Sequence, residues 1–194
     1  MPKIVLHVGC GHREAGKIHQ LFASDNWKEI RFDIDPSVDP DIVGSITQMD
    51  AVSDNSMDAV YSAHNLEHLY FHEVDVCLRE FLRVLKPRGF ALIGVPNLQK
   101  VAALIARDEM DVPAYTSPAG PVFPMDIVYG FRPAMQAGNQ YMAHKTGFTP
   151  ESLLKAVMGA GFSWAQYDED THFGLWIKGY KTMPPQEIAD QPLW

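Results

Sequence analysis

The sequence predicts an α/β fold with a mostly parallel sheet and crossover helices, on three observations. A short, mostly β-branched apolar run stands at Ile4-Val5-Leu6-His7-Val8, and further strand-like runs follow at Glu29 to Ile34 and at Phe90 to Val95. A long segment from Asn65 to Leu85 carries Leu66, Leu69, Val74, Leu78, Phe81, Leu82 and Leu85 near helical spacing. Glycine, proline and asparagine fall between these runs, where turns are needed. Strands alternating with helices imply βαβ units, and right-handed crossovers make them a doubly wound sheet.

Each element follows in order. The first run is continuously apolar and ends at Gly9, as a strand buried on both faces does. A helix is expected over Lys17 to Ser24. The second strand carries Asp33 and Asp35 at its carboxyl end, and Pro36 and Pro40 mark the loop beyond. Asp41-Ile42-Val43 reads as a short third strand. Turn chemistry at Asp54-Asn55-Ser56 leads into a fourth, Met57 to Ser62. Pro87 and Gly89 close the long helix before the fifth strand, which Pro96-Asn97 ends. Thr149 caps a helix whose first residue is Pro150 and which ends at Gly159 or Gly161. Ser163 to Tyr167 and Gly174 to Gly179 form a last hairpin, giving seven strands.

One domain spanning 1–194 is expected, since the length suits one sizeable core. Within it, 108–147 is read as an inserted lid on the substrate side and 182–194 as a C-terminal tail. The stretch from Val112 to Lys145 holds five prolines, many aromatics and little periodicity. Long loops of this kind are usually functional. Its aromatic and Met content argues for packing.

Composition excludes several partners. The formal net charge is −8, and no basic run exceeds two residues, so a phosphate backbone is disfavoured. No apolar stretch reaches the roughly 18 residues of a membrane span. Cys10 and Cys77 do not suggest a disulfide framework. With no signal peptide read at Met1-Pro2-Lys3, the expectation is a cytoplasmic protein without nucleic-acid or membrane partners.

The chemistry begins at Val8-Gly9-Cys10-Gly11. A glycine turn between strand and helix lets the backbone approach a ligand closely, and a helix N-terminus adds N–H donors. A dinucleotide fingerprint would want a third glycine at position 14, where Glu14 stands and would repel a pyrophosphate. An NAD-dependent oxidoreductase is therefore disfavoured. An acidic residue ending the second strand can accept both ribose hydroxyls of a nucleoside. Asp33 is preferred, with Asp35, two residues on, as the alternative.

LHVGCGHREAG, RFDIDPSVDPDIVGSI, DNSMDAVYSAHNLEHL and LREFLRVLKPRGFALIGVPN, in that order, resemble a class I S-adenosylmethionine-dependent methyltransferase. HKTGFTPESLLKAVMGAGF resembles the part near the C-terminus of such a domain. The resemblance covers roughly 3–97 and 144–180. It implies a Rossmann-like fold with S-adenosylmethionine as cofactor and S-adenosylhomocysteine as product. Gly9, Cys10 and Gly11 would then contact the methionine and ribose, Asp33 the ribose hydroxyls, and Ile34 the adenine. Ser45 and Ile46 stand where the family has an acidic and an apolar residue at the adenine. His64 would lie beside the methionine or the sulfonium. The sequence departs from the family at His12-Arg13, at Ser45 and at Arg88. No helix precedes the first strand, so the lid or a second copy of the chain, in a homodimer, must close that side of the cleft.

The expected function is methyl transfer to oxygen or nitrogen of a small-molecule or saccharide-like acceptor. An inactive cofactor-binding sensor is the alternative. His64, His68 and His144 are the candidate bases, in falling proximity to the methyl. Tyr129, Tyr141 and His144 are candidate acceptor contacts. His64-Asn65-Leu66-Glu67-His68 also matches H-x-x-E-H, a zinc-protease motif, with His64 and His68 on one helical face and His72 extending it. A third ligand is not assigned, since Glu73 and Glu80 lie on the same helix and Glu151 is remote. No metal is therefore expected.

Overall fold

A computed structural model describes residues 1–13, 16, 18–118 and 120–193. Five strands build the parallel part of the sheet: β1 (Lys3–Val8), β2 (Trp27–Asp33), β3 (Ile42–Val43), β4 (Met57–Ala63) and β5 (Leu85–Pro96). Helix α1 (Phe71–Val84) precedes β5. After β5 come α2 (Leu98–Ile105), the hairpin β6 (Tyr115–Ser117) and β7 (Gly120–Val122), α3 (Pro124–Tyr129) and α4 (Arg132–Gln136). Helix α5 (Pro150–Gly159), β8 (Trp164–Glu169), β9 (Gly174–Tyr180) and α6 (Gln186–Ala189) complete the chain.

The seven-stranded sheet runs β3-β2-β1-β4-β5-β9-β8, with β9 antiparallel to both neighbours. This is the expected doubly wound Rossmann-like sheet with its C-terminal hairpin. The order reverses between β1 and β4, and that switch point opens a crevice at the strands' carboxyl ends.

The two faces of the sheet are covered differently. Leu6 and Val8 of β1 point into the larger core with Phe81 and Val84 of α1 and Leu153 and Val157 of α5. Thr149 caps α5 as expected, accepting from the Ser152 amide while the Ser152 hydroxyl takes up the Thr149 amide. On the opposite face, Val5, Tyr61 and Leu92 meet Phe22, Trp27, Phe90 and Trp176. The helix expected over Lys17 to Ser24 is there a single 3₁₀ turn, Gln20–Phe22. Lys17 and Glu14 lie outside the described residues. Leu193 is buried in this aromatic cluster, so the C-terminal tail helps cover this face.

Two other elements differ from expectation. The segment 65–85 is not one helix: a 3₁₀ turn, Leu66–His68, precedes α1. The reason is local. Leu69 and Tyr70 are extended, so a continuous helical ladder cannot cross them. Strand β5 starts earlier than Phe90: Leu85 pairs with Met57, then the chain loops out at Pro87-Arg88-Gly89 and re-enters register with Phe90 opposite Ala59. Residues 112–145 are packed and structured, with a small core of Val101, Val122 and Ile127. Asp126, buried there, closes the first turn of α3 by accepting from the Phe123 amide and pairs with Arg132 at 2.6 Å.

Candidate active site at the carboxyl ends of the strands

The glycine turn sits directly past β1. Gly9 and Gly11 have φ +62° and +60°, the left-handed region that glycine enters without steric cost. Above Gly9 lies the Asn65 side chain, and a Cβ on Gly9 would fall 1.8 Å from its Oδ1. The Asn65 amide nitrogen lies 3.0 Å from the Val8 carbonyl and 3.1 Å from that of Ala63. Asn65 thus ties the ends of β1 and β4 together across the switch point.

Two side chains of β2 clamp the turn from the other side. Arg31 and Asp33 lie two residues apart on one face of the strand. The Arg31 guanidinium donates to the Gly11 carbonyl, and the Gly11 amide donates to Asp33 Oδ2 at 2.9 Å. Both backbone polar groups of Gly11 are therefore held by β2. Asp33 Oδ1 accepts the Asp35 amide at 3.0 Å. Each Asp33 oxygen keeps acceptor capacity beyond its one backbone donor. Arg31 is 3% exposed, and its Nε has no hydrogen-bond partner.

The other expected cofactor contacts surround this point. Ile34 is 49% exposed, an apolar surface at the strand end. Cys10 is buried and donates its amide to the Phe32 carbonyl, and burial raises its thiol pKa. Asp35 caps the 3₁₀ turn Pro36–Val38 by accepting from the Ser37 amide, which holds its carboxyl below the usual range. Ser45 hydrogen-bonds Thr47 at 2.8 Å, and Ile46 packs partly against the main core.

Past β4 the histidines gather round one carboxylate. Glu67 is 1% exposed. Its Oε1 pairs with His64 Nδ1 at 3.2 Å, while Oε2 has no hydrogen-bond partner. Burial pushes the Glu67 carboxyl up, but the His64 hydrogen bond and the charges of His64, His68 and His144 outweigh it, leaving the pKa below the ordinary value. His68 Nδ1 meets the Ala143 carbonyl at 3.0 Å, and His144 Nδ1 meets that of Ile127 at 2.9 Å. A carbonyl can only accept, so both Nδ1 atoms carry the proton. The two rings lie 4.9 Å apart. Burial lowers the His144 pKa, with Glu67 opposing it.

The structure therefore brings His64, His68 and His144 round Glu67. It does not place His64 and His68 on one α-helical face, because His64 lies in the turn before the 3₁₀ segment. His72 is on α1, with its ring stacked on Tyr70. Tyr129 and Tyr141 are exposed on the surface of the inserted segment. The backbone of that segment is fixed to the site: the Lys145 and Thr146 amides donate to the Glu67 carbonyl at 2.8 and 3.1 Å. Asn65, Glu67 and Arg31 are absent from the sequence-based list of site residues. Arg31 gave no distinct local signal, since Lys28, Glu29 and Asp33 share its strand. Asn65 and Glu67 depend on contacts with β1 and with residues 127–144.

Comparison with known proteins agrees with this geometry. A methyltransferase-domain family matches residues 6–93, which carry the glycine turn, Asp33 and the Asn65–Glu67 segment. Comparison with curated proteins finds no match. Among solved structures, an S-adenosylmethionine-dependent methyltransferase from Methanosarcina mazei superposes with a TM-score of 0.61 at 16% identity, covering 94% of each chain. A second such enzyme, from Archaeoglobus fulgidus, gives 0.57 at 16% identity over 92% of this chain and 86% of that one. A third is the Burkholderia thailandensis 1,6-didemethyltoxoflavin-N1-methyltransferase, solved with 1,6-didemethyltoxoflavin and S-adenosylhomocysteine. It gives 0.56 at 16% identity over 94% and 72%. The methyltransferase-domain match over residues 6–93 and the strand order shared with these solved structures show that the chain has the fold of S-adenosylmethionine-dependent methyltransferases, with the glycine turn clamped by β2 inside the matched region.

Proposed function

We propose that the chain transfers a methyl group from S-adenosylmethionine to an oxygen or nitrogen of a small-molecule or saccharide-like acceptor. The observation that carries this reading is the turn at Gly9–Gly11 held against the Asp33 carboxylate at the switch point. The residues fit the cofactor on three counts. Gly9 and Gly11, both in the left-handed region, turn the chain tightly at the end of β1 and bring its backbone beside Asp33. Asp33 offers acceptor lone pairs for two ribose hydroxyls. The loop beyond carries Asp35, Asp39 and Asp41, a field that favours a sulfonium and disfavours phosphate.

S-adenosylmethionine supplies a methyl carbon activated by positive sulfur, so the chain needs no covalent nucleophile. Its residues hold the two reactants in line and exclude water, and such orientation contributes roughly 7–11 kcal/mol. Asp33 fixes the ribose. Ile34 gives the adenine an apolar surface. His64 donates through Nδ1 to Glu67, which leaves Nε2 as the basic atom for an acceptor proton. Residues 112–145 shape the acceptor side, with Tyr129 and Tyr141 as contacts, while His144 faces Glu67 and His68.

Calorimetry with S-adenosylhomocysteine tests the cofactor half: micromolar binding is expected. Release of S-adenosylhomocysteine across a panel of hydroxyl and amine acceptors tests the chemistry. Binding with no turnover on any acceptor would favour a sensor. Stabilisation by NAD in place of S-adenosylhomocysteine would overturn the reading.

A further inference from the structure

We propose that Glu67, His68 and His144 form a divalent-metal site, filled by Zn(II), that pins residues 143–146 to the loop after β4. A carboxylate oxygen of Glu67, one nitrogen of His68 and one of His144 lie within 4.8 Å of one another. Three further observations point to a cation between them.

First, Glu67 Oε2 is buried and has no hydrogen-bond partner. A buried anionic oxygen without a partner costs several kcal/mol, so something must compensate it. Second, both imidazoles spend their Nδ1 protons on backbone carbonyls, of Ala143 and of Ile127. That fixes the tautomer and leaves a lone pair on each Nε2. It is the arrangement in which a ligating histidine is oriented by a carbonyl behind it. Third, the donor set is two neutral imidazoles and a carboxylate, which suits zinc and leaves one coordination position open.

The H-x-x-E-H string thus gives two ligands, Glu67 and His68, and the third comes from 76 residues beyond His68 rather than from His64. A cation here also accounts for the backbone on both sides of it: the Lys145 and Thr146 amides reach the Glu67 carbonyl in the same place. The site goes beyond methyl transfer and does not depend on it.

The test uses the full-length protein stripped of metal by chelator and dialysis. Titration with Zn(II), followed by calorimetry and elemental analysis, should show stoichiometric binding with a Kd below micromolar. Co(II) in place of Zn(II) should give the intense visible bands of a low-symmetry four-coordinate site. His68→Ala, His144→Ala and Glu67→Gln should each weaken Zn(II) by at least about 100-fold, since even outer-sphere partners are worth 10–100-fold. His72→Ala, exposed on α1, should leave affinity unchanged. Circular dichroism and S-adenosylhomocysteine affinity on the same samples separate lost metal from lost fold and from lost cofactor binding. The Co(II) spectrum of the unmodified protein needs no variant. Sub-stoichiometric binding, an octahedral Co(II) spectrum, or unchanged affinity in His144→Ala would each overturn the site.

Discussion

Gly9 is where the backbone of the cofactor turn and the packing of the switch point meet, and substituting it by alanine separates their contributions. Two costs follow from the structure. The residue sits at φ +62°, where an L side chain costs about 1–2 kcal/mol. The new Cβ would also fall 1.8 Å from Asn65 Oδ1, so Asn65 must leave. Its amide has two hydrogens, and the Val8 and Ala63 carbonyls at 3.0 and 3.1 Å are their nearest acceptors. Losing both bonds costs about 2 kcal/mol at roughly 1 kcal/mol each. Gly9→Ala should therefore destabilise by about 3–4 kcal/mol, a large part of a typical domain's stability. Denaturant unfolding measures this directly. A double-mutant cycle isolates the source: in an Asn65→Ala background the same substitution should cost only the backbone part, about 1–2 kcal/mol. A coupling of about 2 kcal/mol is expected. If the two substitutions add to within about 0.5 kcal/mol, the clash with Asn65 is not the mechanism.

Other consequences are open to direct measurement. Asp33→Ala should weaken S-adenosylhomocysteine at least tenfold by calorimetry, since a charge-assisted hydrogen bond is worth about 1.5–3 kcal/mol; unchanged affinity would transfer the ribose role to Asp35. Arg83 joins α1 to the loop after β3, donating to the Val52 and Met49 carbonyls and pairing with Glu80 at 2.7 Å. Arg83→Ala should cost about 2–3 kcal/mol in chemical denaturation, and a loss below about 0.5 kcal/mol would refute the contact. Arg83 holds the Glu80 carboxyl below its usual range. A carboxyl lowered in the folded state stabilises above its unfolded pKa, so this contribution is complete above about pH 5 and fades as the pH falls through about 4 and below. The acid limb of a stability profile should accordingly be shallower in Arg83→Ala, and an identical limb would count against the pair. Leu193→Ala should lower stability by about 1–2 kcal/mol, and no loss would mean that the tail does not cover the aromatic face.

The outline of the fold was written locally. Apolar runs ended by Gly9 and by Pro96-Asn97 specify β1 and β5 because buried parallel strands need apolar side chains on both faces. Thr149-Pro150 sets the start of α5 because capping is a matter of a few adjacent residues. The glycine turn and Asp33 were legible for the same reason: each is marked by a few adjacent residues at the end of a strand. Where the chain departs from regular structure, local pattern misleads. Apolar spacing from Leu66 to Leu85 reads as one helix, yet the extended Leu69 and Tyr70 divide it.

What the sequence by itself determined is the order of strands and helices, the glycine turn after the first strand and the carboxylate at the end of the second, since each is encoded within a few consecutive residues. Only the tertiary structure decided what those pieces meet. It placed Arg31 under Gly11, drew Asn65 over Gly9 from 56 positions along the chain, and helped cover one sheet face with the C-terminal tail. It also set His144 against Glu67 and His68. The physical reason is separation in sequence. Hydrogen bonds and ion pairs between residues far apart depend on how the sheet and the inserted segment pack, and no periodicity within a strand or helix records that packing.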